Sequence, residues 1–183
     1  MDIKKAVLLD RDGTLNRDHG YVHKTEHFEL LPGVIDGLSI LKDEFLFFII
    51  TNQSGIGKGY YEFSDFWDYN NLLTDTLKEN GIIIEKTYVC PHKKEDNCNC
   101  RKPKTKFLSE MQSEFEIDFE HSWMVGDHPS DISFGINAGC RTIYLLTGHG
   151  KKHQNELERD GIKPNFIAKD FLEAATYIKN QSS

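Results

Sequence analysis

Short apolar runs alternate along the chain with longer segments whose apolar positions recur at helical spacing. The short runs predict strands over Ala6–Leu9, Phe45–Ile50, Ile82–Val89, Ser122–Val125, Thr142–Leu146 and Phe166–Ala168. Between them the pattern predicts helices over Gly33–Leu41, Ser64–Glu79, Lys104–Phe115, Asp131–Ala138, Gln154–Asp160 and Asp170–Lys179. In the second of these, Phe66, Trp67, Asn70, Leu73, Thr74 and Leu77 fall at helical spacing, with Ser64 as a cap before and Asn80-Gly81 as a stop after. Strand–helix alternation of this kind implies an α/β fold, a parallel sheet covered by helices on both faces. The stretch that reads as neither strand nor helix is Cys90–Lys102. No repeat, low-complexity tract or linker divides the chain, so a single domain over residues 1–183 is expected.

Composition narrows the picture. With 38% hydrophobic and 28% charged residues the chain has the make-up of an ordinary soluble domain. A net charge of −7 argues against a general nucleic-acid binder, because affinity for phosphate backbones comes mostly from Lys and Arg. It leaves room for a small phosphorylated substrate, since a metal and a few local cations reverse the sign inside a cleft. The N-terminus shows no apolar signal segment, and no stretch is long enough to span a bilayer. A cytoplasmic location without membrane partners is expected.

Ligands of parallel sheets bind outside the carboxyl ends of the strands, and three polar segments fall there. The first predicted strand stops at Asp10-Arg-Asp12-Gly-Thr14. Alternation puts Asp10 and Asp12 on one side, where two carboxylates repel unless a cation or shared proton separates them. The alternative is a plain strand-ending turn. A calcium loop would need further oxygen ligands where Thr14 and Tyr21 stand. The second segment is Thr51-Asn-Gln-Ser-Gly-Ile-Gly-Lys-Gly59. It fails as a Walker loop, with Asn52 and Gly59 where Gly and a hydroxyl are required, and Tyr60 breaks the dinucleotide pattern. What remains suits a phosphoryl group, or is a glycine-rich connector. The third, Val125-Gly-Asp127-His-Pro-Ser-Asp131, offers two carboxylates, of which Asp131 is also placed to cap the following helix. Lys102, with Arg101 and Lys104, lies at the approach to the predicted helix that starts at Lys104, and both features favour an anion.

Cys90, His92, Cys98 and Cys100 place three thiols and one imidazole within eleven positions. That donor set suits a closed, structural zinc site. Unrelated thiols or a disulfide are the alternatives, and a disulfide would leave an odd thiol in a chain without an export signal. Cys140 reads as a core residue.

Taken together, Asp10-Arg-Asp12-Gly-Thr-Leu-Asn16, Thr51-Asn-Gln-Ser-Gly-Ile-Gly-Lys-Gly59, Cys90-Pro-His92 with Cys98-Asn-Cys100-Arg-Lys-Pro103, and Val125-Gly-Asp127 resemble the haloacid dehalogenase (HAD) superfamily of phosphatases. The likeness runs over roughly residues 4–180, and within the superfamily it points to the branch acting on heptose bisphosphates and histidinol phosphate. The resemblance implies a Rossmann-like HAD fold without a separate cap domain and with a small zinc loop at 90–102. It implies that Asp10 is the nucleophile, Asp12 the acid and base, and that Thr51 and Lys102 hold the transferring phosphoryl group. Magnesium would be held by Asp10, Asp127 and the Asp12 backbone carbonyl, and zinc by Cys90, His92, Cys98 and Cys100. Asp18, His19, Gly20, Tyr21, Thr51, Asn52, Gln53, Ser54, Arg101, Lys102 and His128 would bind substrate. The expectation is a monomeric, magnesium-dependent sugar phosphatase, with histidinol phosphate, a polynucleotide 3′-phosphate or a non-catalytic zinc-stabilised binding role as alternatives. Loops 17–25 and 55–61 and the zinc loop would enclose the substrate.

Overall fold

Six parallel strands form one sheet in the computed structural model, which describes residues 4–182. They are β1 (Ala6–Leu9), β2 (Leu46–Asn52), β3 (Ile84–Cys90), β4 (Trp123–Gly126), β5 (Arg141–Leu145) and β6 (Phe166–Ala168), in the spatial order β3-β2-β1-β4-β5-β6. β1 is central because its Ala-Val-Leu-Leu run is apolar on both sides and fully buried, which only an inner strand of a covered parallel sheet requires. Leu8 lies opposite Phe48 on β2 and Met124 on β4, which fixes the register of the three middle strands.

Seven helices follow the strands: α1 (Val34–Leu41), α2 (Ser54–Gly57), α3 (Phe63–Glu79), α4 (Lys106–Phe115), α5 (Pro129–Asn137), α6 (Gly150–Arg159) and α7 (Phe171–Gln181). Alternation along the strands splits the core into two layers. Val7, Leu9, Phe47, Ile49 and Val125 meet Leu38 of α1, Leu73 and Leu77 of α3 and Ala174 and Ile178 of α7. Ala6, Leu8, Phe48, Ile50 and Met124 meet Phe107 and Met111 of α4 and Phe134 of α5. On that second side, Ile132, Tyr144 and Leu157 join α5, β5 and α6. Cys140 is buried in the second layer, as a core residue should be. Among the described residues no helix is long and apolar enough to cross a membrane.

Some local expectations shift. The buried stripe of α3 is Phe66, Tyr69, Asn70, Leu73 and Leu77, so Tyr69 takes the inner position that the spacing gave to Trp67, which is 38% exposed. Steps of three and four from Phe66 reach Tyr69 and Asn70, and Trp67 falls off that face. Ser64 does not cap α3; Glu62 does, its backbone N–H donating to Asp65 Oδ2 at 2.8 Å. α4 begins at Lys106 rather than Lys104, after a turn in which Lys104 N donates to Arg101 O at 2.9 Å. That turn separates Lys102 from the helix N-terminus. Ser54–Gly57 forms a short helix, and Lys94–Asp96 and Thr25–His27 form short 3₁₀ turns.

Candidate active site

Adjacent strands deliver the charged groups of the site. Asp10 follows β1, Asp127 follows β4, and Thr51 and Asn52 end β2, so neighbouring strand ends converge at one edge of the sheet. The Gly13 turn, with φ +81°, is what permits the approach of Asp127: a Cβ there would sit 2.2 Å from Asp127 Oδ2. Gly126 does the same for Asp131, whose Oδ2 would lie 2.2 Å from a Cβ at that position. Asp131 thereby folds back from the first turn of α5, its Oδ2 accepting from His128 N at 3.0 Å and its Oδ1 standing 2.8 Å from Lys102 Nζ.

Carboxylate oxygens of Asp10, Asp127 and Asp131 lie within 4.8 Å of one another. Lys102 Nζ faces them, 2.7 Å from Asp10 Oδ1, and it also donates to Ile50 O at 2.6 Å. Burial opposes charge on this lysine, but Asp10 and Asp131 outweigh it and hold its pKa above the ordinary value. One ammonium does not balance three carboxylates. Burial, with Asp131 and Asp12 adding repulsion, pushes Asp10 up to about 7 despite Lys102. Burial, with Asp10, Asp131 and Asp18 adding repulsion, raises Asp127 well above the carboxylate range, although His149 N donates to its Oδ2 at 2.7 Å. A converging all-oxygen set with an excess of negative charge fits a hard divalent cation such as magnesium.

Asp12 is turned elsewhere. Its carboxylate accepts from Arg11, Asn16 and Gln53 and takes no part in the cluster with Asp10 and Asp127. Asp131 supplies the third carboxylate of that cluster, and the ligand expected from residue 12 was its backbone carbonyl rather than this carboxylate.

The second group of donors lies at the end of β3, which is Cys90, and on the loop that follows. Sγ–Sγ distances among Cys90, Cys98 and Cys100 are 3.1–3.6 Å, and His92 Nδ1 is 3.2 Å from Cys100 Sγ. All three are free thiols, and a disulfide would need sulfurs about 2.05 Å apart. Four ligands at zinc–sulfur distances of about 2.3 Å have edges of roughly 3.8 Å, close to this spacing. Burial works against a Cys98 thiolate, yet backbone N–H groups of Arg101 and Cys100 donate to it and draw its pKa down to about 6. The donor set fits zinc. This loop is fastened to the cleft: Gln53 N donates to Cys90 O at 2.7 Å, and Gly57 N to Pro91 O at 2.9 Å. Its far end carries Arg101 and Lys102, and Asn52 Oδ1 accepts from Lys102 N at 3.0 Å.

The resulting cleft measures about 480 Å³. Asp10, Asp12, Asp18, Gly20, Tyr21, Thr51, Asn52, Gln53, Ser54, Arg101, Lys102, Asp127 and His128 line it, all of them anticipated. His19 does not; it is exposed and faces a separate hollow with His23 and His27. Gln53 and Asn52 are engaged with protein groups, Gln53 with Asp12, Thr51 and Tyr61, Asn52 with the Lys102 backbone, so holding the site is their observed work. Sequence reasoning missed Tyr61, Ser130, Asp131, His149 and His153 as lining residues. Asp131 carried a signal, a second acid four residues after Asp127; the two histidines, one at the end of the loop after β5 and one in the first turn of α6, belong to no motif. His149 Nε2 pairs with Asp18 Oδ2 at 3.0 Å, and the His128 and His153 rings stand 4.9 Å apart. Burial keeps His128 below its ordinary pKa, and its Nδ1 accepts from Ser130 N, leaving Nε2 as the N–H donor of the neutral ring. Tyr21 closes one rim, its hydroxyl accepting from Lys58 Nζ at 2.7 Å and its ring edge-on to Tyr60 at 4.9 Å. Loops 17–25 and 55–61 therefore meet at the rim of the cleft.

A parallel sheet in this order, with acids at the ends of β1 and β4 and a buried lysine between them, defines a HAD-like hydrolase. The HAD-hydrolase-like family model matches residues 99–174. A probable D-glycero-D-manno-heptose-1,7-bisphosphate 7-phosphatase of Thermoplasma volcanium is 45% identical over 124 residues, 67% of this chain and 85% of its own. The D-glycero-alpha-D-manno-heptose-1,7-bisphosphate 7-phosphatase of Campylobacter jejuni is 40% identical over 149 residues, 81% of this chain and 86% of its own. Among solved structures, the D,D-heptose 1,7-bisphosphate phosphatase of B. bronchiseptica, complexed with magnesium and phosphate, superposes with a TM-score of 0.86. It is 25% identical, with 98% of this chain and 99% of that one covered. The chain belongs to the D-glycero-D-manno-heptose-1,7-bisphosphate 7-phosphatase family of HAD-like hydrolases.

Proposed function

We propose that this protein removes the 7-phosphate from a D-glycero-D-manno-heptose 1,7-bisphosphate, working as one domain. The observation that carries this reading is Lys102 Nζ lying 2.7 Å from Asp10 Oδ1 at the floor of an open polar cleft, in a chain whose relatives bear that activity in their names. Asp10 is the group placed to attack phosphorus, and a carboxylate nucleophile splits hydrolysis into two displacements. A phosphate dianion and an ionised Asp10 repel one another, so the site needs fixed positive charge. Lys102 supplies part of it and, with the Thr51 hydroxyl and the Ser54 end of α2, takes the non-bridging phosphoryl oxygens.

Asp10 and Asp127, with Asp131 beside them, are the residues that would hold magnesium. Bound there, magnesium would neutralise phosphoryl charge and keep Asp10 ionised. Asp12 protonates the leaving alkoxide and then takes a proton from the attacking water. The distal part of the sugar, with its second phosphate, lies toward Arg101 and His128. Zinc on Cys90, His92, Cys98 and Cys100 would have all its positions filled by protein and so serve structure, holding the loop that presents Arg101 and Lys102.

The test is phosphate release by purified protein with Mg²⁺ from heptose 1,7-bisphosphate, histidinol phosphate and a 3′-phosphorylated oligonucleotide. Selective turnover of the bisphosphate is expected. Equal, slow rates on all three would remove the substrate assignment, and no release from any would remove the activity.

A further inference from the structure

The Asp12 carboxylate has no free acceptor position. Oδ1 accepts from Arg11 Nε and Asn16 Nδ2, both at 2.9 Å. Oδ2 accepts from an Arg11 terminal nitrogen at 3.0 Å and from Gln53 Nε2 at 2.8 Å. Each carboxylate oxygen offers about two lone-pair sites, so four donors saturate the group. A residue that hands a proton to a leaving oxygen must carry O–H on one of its own, and one of these donors has to give way.

The four contacts are not equally held. Arg11 is fully buried, its guanidinium 4.8 Å from the Tyr69 ring centre and 5.1 Å from that of Phe66, and it also donates to Val22 O at 3.0 Å. It cannot lose its charge, and its planar fork matches the carboxylate edge. Asn16 is buried too, and its amide is shared with Arg17 O. Gln53 differs. Its Nε2 already has a second acceptor, Thr51 Oγ1 at 2.8 Å, and its Oε1 accepts from Tyr61 OH at 2.5 Å. Tyr61 stacks on His23 at 4.6 Å and packs against Gly55, so it belongs to the two loops that meet over the cleft.

We propose that Arg11 and Gln53 are the positioning residues of Asp12. Arg11 fixes the plane of the carboxylate permanently, and Gln53, held by Tyr61, is the donor that releases Oδ2 when the rim loops settle on substrate. This rests on the phosphatase reading above. In the first displacement the Asp10 oxygen–phosphorus bond forms while the bond from phosphorus to the leaving alkoxide breaks, and that alkoxide takes the proton carried by Asp12 Oδ2. In the second, water attacks the aspartyl phosphate, its proton passes to Oδ2, and the bond from phosphorus to Asp10 breaks, returning the free carboxylate and inorganic phosphate.

The experiment compares a sugar phosphate, whose leaving alkoxide needs a proton, with p-nitrophenyl phosphate, whose leaving oxygen does not. In Arg11→Lys, kcat on the sugar phosphate should fall roughly a hundredfold with KM within about twofold, while p-nitrophenyl phosphate loses less than about fivefold. Tyr61→Phe, a milder change that keeps the ring packing, should shift the same ratio by roughly tenfold. Melting temperatures close to that of the parent would establish that both variants are folded; if Arg11→Lys does not fold, Tyr61→Phe alone decides. Equal losses on both substrates, or an unchanged ratio, would overturn the positioning role. Failure of the parent protein on both substrates would instead overturn the phosphatase reading, and this proposal with it.

Discussion

Two clusters of potential ligands stand at the same end of the sheet and are built in opposite ways. The acids of the cleft hang from strand ends and from the first turn of α5, so the sheet brings them together whether or not a cation is bound. The thiols and His92 sit on a segment whose only regular structure, after the end of β3, is the 3₁₀ turn Lys94–Asp96. The first cluster is a scaffold that gathers like charges; the second gathers four donors on a loop tied to the cleft by backbone hydrogen bonds, to which a bound zinc would add order. Because Arg101 and Lys102 follow Cys100 directly, the second cluster sets the aim of the first.

The largest effect should come from removing the attacking oxygen. Asp10→Asn should lower phosphate release by more than about a thousandfold while leaving the melting temperature equal or higher, because one repelling charge is gone. Substantial residual turnover in that variant would break the division between the two clusters. Lys102→Met should follow. It leaves Asp10 and Asp131 facing each other without their cation, a loss of about 3–5 kcal/mol at pH 7 in urea unfolding. An unchanged midpoint would mean that the carboxylates had found another partner.

Next comes the cysteine loop. Elemental analysis should find about one zinc per chain in protein purified without chelator. Stripping it, or Cys98→Ser, should lower kcat/KM roughly tenfold and the melting temperature with it, through loosened Arg101 and Lys102, with no recovery on added Mg²⁺. Recovery by Mg²⁺ would place the loss in the cleft instead.

A smaller effect separates the clusters by pH. Asp10 is raised from 3.8 to about 7 in the folded, metal-free chain, so the folded state binds more protons than the unfolded one across that window. Stability from this group is full below pH 3.8 and is lost as pH rises through about 7. The metal-free protein should therefore melt some degrees lower at pH 8 than at pH 5, and Mg²⁺ should raise the melting temperature more at pH 8. The opposite order would show that Asp10 is not the strained group. The smallest effect belongs to His19→Ala, expected to change stability by no more than about 0.5 kcal/mol and KM not at all, since His19 lies outside the cleft. A raised KM would bring His19 back to the substrate.

Much of this was legible in the sequence, for a physical reason. Strands buried on both faces must be uninterrupted apolar runs, so β1 was read to the residue; the short edge strand β6 was too, and the other four were read to within two. Asp10, Asp12, Thr51 and Asp127 drew attention because they sit where such runs stop, and Lys102 because three cations cluster over residues 101–104. What stayed hidden depends on distance in space. No spacing rule shows that Asp131 folds back over Gly126 to reach Lys102, or that His149, where the loop after β5 enters α6, closes on Asp127 and Asp18. Gln53 sat in the right segment, but its buried amide is engaged by Asp12, Thr51 and Tyr61, which only three-dimensional contacts reveal.

Between β1 and β2 the chain makes one 3₁₀ turn and one helix, and the described residues set no second sheet or helical layer over the cleft. In kinetic terms, a site roofed only by Tyr21, Lys58, Tyr60 and their loops has no rigid body to swing aside between turnovers. Release of product would then need only side-chain contacts at the rim to break, with no hinge to open.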